Sequence, residues 1–104
     1  MVADEKLLKK FEEKYIPPLG EYDPDLGVSW FIPRNVEVKK TKNGKEYWIV
    51  DVIDITSKIT KIKCWGIRKE DKIFINRPYM ARLDYDEQWG FSTRSVRKNF
   101  RLVG

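Results

Sequence analysis

The chain has 104 residues, of which 41% are hydrophobic and 36% charged, and its formal net charge is +5. This length suits one domain with a single core, and the hydrophobic content is enough to form that core. With no histidine and one cysteine, the composition excludes Ser-His-Asp and Cys-His nucleophile systems, His-ligated metals, an internal disulfide and a Cys-cluster zinc site.

The first 27 residues read as a segment apart from the rest. Apolar residues recur at helical spacing over 3–15 and predict an α-helix, which Pro17 and Pro18 end. The Pro- and Gly-rich stretch that follows predicts an extended connector. We therefore divide the chain into an N-terminal helix and Pro-rich connector over 1–27 and a second domain over 28–104. Because no segment has the apolar core of a signal peptide or the length to span a bilayer, we expect a cytoplasmic protein with no membrane partner.

From Val28 onward the apolar period changes to two, which predicts strands. We expect five of them, over 28–40, 45–54, 59–67, 79–86 and 91–102. Pro33 predicts a bulge or an edge in the first strand, and Asn43-Gly44 predicts a type I′ hairpin turn after it. The alternation predicts one buried face, made of Val36, Val38, Trp48, Val50, Val52, Ile62 and Cys64.

Five strands, the first long and interrupted, with a longer connection after the third, indicate an all-β protein. The fold class that we predict is a five-stranded OB-fold Greek-key barrel over 28–104, with an N-terminal α-helix. An SH3-like barrel is the nearest alternative. In an OB-fold, oligonucleotides bind to the face of strands 2 and 3 and to the loops 1–2 and 4–5.

The run from residue 36 to residue 66 resembles the OB-fold nucleic-acid-binding module of bacterial DNA polymerase III alpha subunits. The residues that match its Lys-rich first turn are Lys42, Asn43, Gly44 and Lys45. Asp54 and Thr56 match its second turn, where Ser57 stands in place of the usual glycine, and Trp65 matches the aromatic residue that ends the third strand. The resemblance implies binding of single-stranded nucleic acid, with ssDNA favoured, in replication or repair, and other replication proteins as further partners.

The positive charge is concentrated in two blocks. Residues 28–67 carry 8 Lys or Arg against 4 Asp or Glu, and residues 91–104 carry 4 basic residues and no acid. Such blocks suit a polyanion, nucleic acid above all, although a solvated basic surface has the same composition.

In the third strand, Lys61, Lys63 and Trp65 share the polar parity. If the register places Tyr47 and Ile49 beside them, the face offers rings for stacking on bases and lysines for phosphates. The alternative is that Trp65 covers the rim of the core beneath the lysine stems. The candidate nucleic-acid-binding residues are Lys42, Lys45, Tyr47, Ile49, Lys61, Lys63, Trp65, Trp89 and Arg94.

We expect no catalytic residue, no metal and no cofactor. One alternative is a protein-interaction module of OB type in a replication complex. Another is a small nuclease that uses Asp84, Asp86 and Glu87, because neighbouring carboxylates bind Mg²⁺. Cys64 shares parity with Ile62 and is predicted to be a buried small hydrophobe.

Overall fold

The structure is a computed structural model that describes residues 16–56 and 58–103. The described chain is mostly β-structure, as predicted, and the helix predicted near 4–15 lies outside the described residues. Its strands are β1 (Val28–Lys40), β2 (Glu46–Ile53), β3 (Thr60–Cys64), β4 (Tyr79–Arg82), β5 (Asp84–Asp86), β6 (Gly90–Thr93) and β7 (Phe100–Leu102). A 3-10 turn (Leu19–Glu21) precedes them, and a four-residue helix, α1 (Val96–Asn99), separates β6 from β7. Neither helical segment of the described ranges has the length and apolar character to cross a membrane.

The strands form one curled, barrel-like sheet in the order β5-β6-β3-β2-β1-β4-β7. β1 is shared by both halves, since residues 28–31 pair with β4 and residues 32–40 pair with β2. The β3–β6 pair is parallel, and the other pairs are antiparallel. β5 stands at one end of this order and β4 stands next to the other end, yet only Leu83 separates the two strands in the chain. The sheet therefore curls so that its two ends lie close together.

The bulge predicted near Pro33 is confirmed. The register of β1 against β2 shifts between Pro33 and Asn35, with Arg34 as the extra residue. An extra residue reverses the alternation of a strand, because side chains point to opposite faces with a period of two. Phe31 therefore faces the main core. Trp30, beside it, belongs to a second, smaller cluster with Ile32, Ile53 and Val103.

The main core contains most of the residues predicted for it. Val50, Val52, Ile62 and Cys64 are fully buried, and Val36 and Trp48 pack against them. Val38 was predicted to be buried, and this is wrong, because its side chain is 57% exposed. Val38 pairs with Trp48 in a part of β1 that β4 does not reach, because β4 pairs only with residues 28–31.

The hairpin turn between β1 and β2 is not of type I′. The N–H of Gly44 donates to the carbonyl of Thr41 at 2.9 Å, and the N–H of Thr41 donates to the carbonyl of Lys45 at 2.9 Å. Gly44 has a φ of 80°, whereas Asn43 does not have a positive φ. The turn is therefore a three-residue loop closed by a left-handed glycine, the alternative that Gly at this position also permits.

The two predicted C-terminal strands are both divided. The fourth is broken at Leu83, and the fifth is interrupted by α1, so that its last part, β7, pairs with β4. Ser95 begins the helix, since its hydroxyl accepts a hydrogen bond from the N–H of Lys98 at 3.3 Å. The third strand ends at Cys64, earlier than predicted, because the chain turns at Gly66, whose φ is 63°.

The described part of the predicted connector packs onto the sheet. Leu19 is a member of the main core, and the N–H of Trp30 donates to the carbonyl of Pro17 at 3.0 Å. Asp54 ties this segment to the turn after β2. Its carboxylate accepts hydrogen bonds from the N–H of Gly20 at 2.7 Å and from the N–H and hydroxyl of Thr56 at 2.9 and 2.7 Å.

Candidate nucleic-acid interface

The outward face of β2 and β3, with the aromatic residues at its rim, is here called the platform face. Strand alternation creates it, since Val50 and Ile62 point inward and their neighbours point outward. Across the two strands, Ile49 lies opposite Lys63 and Asp51 lies opposite Lys61. The members of the platform face are Tyr47, Ile49, Asp51, Lys61, Lys63, Trp65 and Trp89.

Two aromatic rings stack on each other at one end of this face. The centroids of the Tyr47 and Trp65 rings are 4.4 Å apart and the ring planes differ by 22°. The ammonium of Lys45 lies 5.7 Å from the centroid of the Trp65 ring, within cation–π range. Trp65 belongs to neither hydrophobic cluster of the described residues. It is therefore held on the outer surface by Tyr47 rather than seated on the core.

Trp89 is the second aromatic residue at the rim and is 64% exposed. It lies in the turn between β5 and β6, and the ammonium of Lys63 is 5.3 Å from its ring centroid. The carboxylate of Asp86 fixes this turn by accepting the N–H of Gln88 at 2.8 Å and the N–H of Trp89 at 3.0 Å. Asp86 was predicted only as part of an acidic cluster, although an Asp two residues before a backbone N–H is a common signal of such a turn.

Charge on the platform face is uneven. The ammonium of Lys61 forms an ion pair with Asp51 at 2.8 Å, and the hydrogen bond to this carboxylate raises the pKa of Lys61. On the adjacent strand, Lys39 pairs with Glu37 at 3.5 Å. Within the described part of the chain, Lys63 forms no ion pair with a carboxylate. The unbalanced positive charge therefore lies toward the two tryptophans.

The remaining candidates are Arg94 and Lys42, and they differ in their position relative to the stacked rings of Tyr47 and Trp65. The parallel register pairs Cys64 with Thr93, and this puts Arg94 beside Trp65 at the end of the face. Gly66 passes so close to the carbonyl of Arg94 that a Cβ atom there would clash with it. Lys42 is exposed at the tip of the β1–β2 loop, and no described contact links it to the stacked rings.

The remaining candidate groups are the carboxylates and the cysteine. Among residues 16–56 and 58–103, no group of three or more His, Cys, Asp or Glu side chains is arranged to hold a metal ion. Cys64 is buried as predicted, and burial raises the pKa of its thiol to about 12. A thiol with this pKa is a poor nucleophile at neutral pH.

Comparison with known proteins adds no relative: the chain matches no protein-family model, no curated protein and no solved structure.

Proposed function

We propose that the chain is an OB-fold barrel that binds single-stranded nucleic acid without catalysis. The strand pairing supports the fold. If residues 79–86 count as one strand bent at Leu83, then five strands form a closed ring through β1, β2, β3, β6 and this bent strand. A five-stranded Greek-key barrel with this kind of closure is the arrangement of an OB-fold. In this view β7 is an addition at the outer edge of β4.

The observation that carries the function is the Tyr47–Trp65 stack with lysines against the tryptophan rings. Base–aromatic stacking tolerates any sequence, because every base has a flat π-face. Lys45 and Lys63 hold their positive charge next to the rings, within reach of the phosphates that join stacked bases. The face is also the one formed by strands 2 and 3, which is where OB-folds bind oligonucleotides.

Binding on this face involves an exchange of contacts. A base that stacks on Trp89 displaces the ammonium of Lys63 from the ring, and the released ammonium pairs with the neighbouring phosphate. The stacked Tyr47 keeps Trp65 in one orientation, which lowers the entropy lost when a base is added. A single strand is favoured over duplex, since the bases of a duplex are already stacked on each other.

The biological setting rests on the resemblance at residues 36–66. It favours ssDNA as ligand, an accessory role in replication or repair, and other replication proteins as partners. The cytoplasmic location remains a prediction from the sequence.

The test is to titrate a short labelled single strand with the wild type and with Trp65→Ala and Lys63→Ala, using fluorescence anisotropy over a range of salt concentrations. Loss of one stacking ring should cost about 1–3 kcal/mol, and the loss should persist at high salt. Loss of one phosphate contact should flatten the slope of log K against log salt by about 0.7. Lys69→Ala is the matched control, because Lys69 is exposed in the loop after β3 and is not a member of the platform face.

Far-UV circular dichroism and a urea midpoint near that of the wild type show that each variant remains folded. Wild-type affinity and slope in both folded variants would remove the platform face as the binding site.

One observation favours the alternative, a protein-interaction module of OB type. A groove of about 570 Å³ lies between the segment before β1 and the strands β3, β5 and β6. Three rings, those of Tyr22, Tyr85 and Phe91, contact one another there, with centroids 4.8–6.2 Å apart. A peptide that binds in this groove would do so with little dependence on salt and would survive Trp65→Ala, so the same titrations separate the two functions.

A further inference from the structure

A cleft of about 250 Å³ lies along β4 and β7, strands that take no part in the platform face. Three cationic side chains line it, those of Arg82, Lys98 and Arg101. Val28, Met80, Ala81 and Asn99 complete its walls. None of the three is among the candidate binding residues named from the sequence, although Lys98 and Arg101 belong to the basic block over 91–104.

The fold brings these cations together from distant parts of the chain. Met80 of β4 lies opposite Arg101 of β7, and Arg82, two residues after Met80, points to the same side of the sheet. Lys98 enters from α1, which ends at the residue before β7. The cluster therefore depends on α1 turning the chain back, so that β7 pairs with β4.

The charges of this cleft have no counter-charge in the described structure. No carboxylate of the described residues lines the cleft, and none of its three cations forms an ion pair within those ranges. The neighbouring Arg97 differs, since its guanidinium is 3.3 Å from Glu70 and 3.5 Å from Asp71. Like charges held close together repel each other, and a bound anion relieves that repulsion.

The side chains also suit one class of anion. A guanidinium presents a planar fork of donors that matches two oxygens of a phosphate, and a lysine adds a mobile point charge. The side-chain amide of Asn99 is neutral and donates to the hydroxyl of Thr93 at 3.0 Å. The charge-assisted contacts to an anion in this cleft therefore come from the three cations.

We propose that this cleft is a second anion site that binds a phosphate group through Arg82, Lys98 and Arg101. The phosphate belongs either to the backbone of a nucleic-acid strand that extends beyond the platform face or to a free phosphate or phosphomonoester. The cleft shares no residue with the platform face, so only the nucleic-acid source of the phosphate rests on the proposed function.

The first experiment titrates inorganic phosphate into ¹⁵N-labelled protein at constant ionic strength, with sodium chloride as the balancing salt. Saturable shifts are expected at the backbone amides of residues 82, 98 and 101. In the triple variant Arg82→Gln, Lys98→Gln, Arg101→Gln, the dissociation constant should rise by about tenfold or more, since even one lost charge-assisted contact has an effect of this size. The matched control, Arg34→Gln, Arg68→Gln, Lys69→Gln, removes the same charge at other exposed positions and should behave as wild type.

Dispersed amide spectra of both triple variants establish that they are folded. Shifts that do not saturate in the wild type, or that persist unchanged in the cleft variant, would overturn the proposal.

The second experiment separates the two sources of phosphate. For a single strand long enough to reach both faces, the cleft variant should flatten the log K–log salt slope by about 2, from three lost contacts at about 0.7 each, while a strand that covers only the platform face should show no change. If the slope is unchanged for both strands but phosphate still saturates, the ligand is a free phosphate.

Trp65→Ala provides the remaining distinction. It should lower oligonucleotide affinity and leave the phosphate shifts intact. Phosphate binding without any oligonucleotide binding would reject the proposed function and support the phosphate site in the cleft. Oligonucleotide binding without phosphate shifts would support the proposed function and reject the phosphate site.

Discussion

Replacing Asp51 by asparagine should tighten the binding of a single strand, although residue 51 itself gains no contact with the ligand. In the structure, the carboxylate of Asp51 holds the ammonium of Lys61 at 2.8 Å on the platform face. Asparagine keeps the size and the hydrogen-bonding oxygen but removes the charge. The variant therefore releases Lys61 to pair with a phosphate, and it also removes a negative charge that repels the backbone of the strand.

The size of the effect follows from counterion release. One further phosphate contact should steepen the slope of log K against log salt by about 0.7. Between about 50 and about 200 mM salt, a fourfold range, this slope difference corresponds to an additional loss of about 2.6-fold in affinity. The gain over wild type should accordingly be largest at low salt and shrink as salt is added.

The assay is fluorescence anisotropy with a short labelled single strand at four or more salt concentrations. Asp25→Asn is the charge-matched control, because Asp25 is exposed in the turn before β1 and outside the platform face; its slope should equal that of the wild type. The double variant Asp51→Asn, Lys61→Gln should return to the wild-type slope. An Asp51→Asn protein with unchanged slope and affinity would refute the assignment of this face.

Three further predictions concern the fold that supports the site. Val52→Ala should lower the free energy of unfolding by about 1–3 kcal/mol, because Val52 is fully buried. Val38 is exposed, so Val38→Ala should change this free energy by less than about 0.5 kcal/mol. Equal urea midpoints for the two variants would show that the burial pattern is wrong. Burial raises the pKa of the Asp54 carboxyl, but the hydrogen bonds from Thr56 and Gly20 together lower this pKa by more than burial raises it. The pKa of Asp54 in the folded state therefore lies below the usual value. Asp54→Asn should therefore cost about 1–3 kcal/mol above the unfolded-state pKa of about 3.9, and the cost should disappear as pH falls through the lower folded-state pKa; a cost that stays constant down to pH 2 would contradict this account. Burial raises the pKa of the Cys64 thiol to about 12, so a thiol reagent at pH 8 should react only as fast as the protein unfolds, and immediate reaction of the native protein would show that the thiol is accessible.

The sequence alone determined which residues of β2 and β3 share a face. Alternation is a local property, since a period of two follows from the geometry of each strand and needs no knowledge of the rest of the chain. It therefore placed Val50, Val52 and Ile62 inside, and Tyr47 and Lys63 outside, before any contact was known. Pro33 also marked the bulge of β1 by a local rule, because a proline cannot donate to the strand ladder.

Only the tertiary structure decided which charges on that face are balanced. The pairing of Lys61 with Asp51 depends on the register between two strands, and one residue of slippage would have placed another side chain opposite each of them. Lys61 and Lys63 are equivalent in the sequence pattern, whereas in the fold Lys61 is held by a carboxylate and Lys63 lies against Trp89.

The end of the chain shows the same limit more strongly. Residues 91–102 were predicted to form one strand, the fifth. Ser95 instead begins a helical turn, and β7 leaves the neighbourhood of β6 to pair with β4. The pairing of β7 with β4 stabilises this arrangement and joins residues far apart in the sequence. The same pairing brings together the three cations of the cleft, Arg82, Lys98 and Arg101. Local periodicity carries no information about such contacts, because they are settled only when the whole sheet closes.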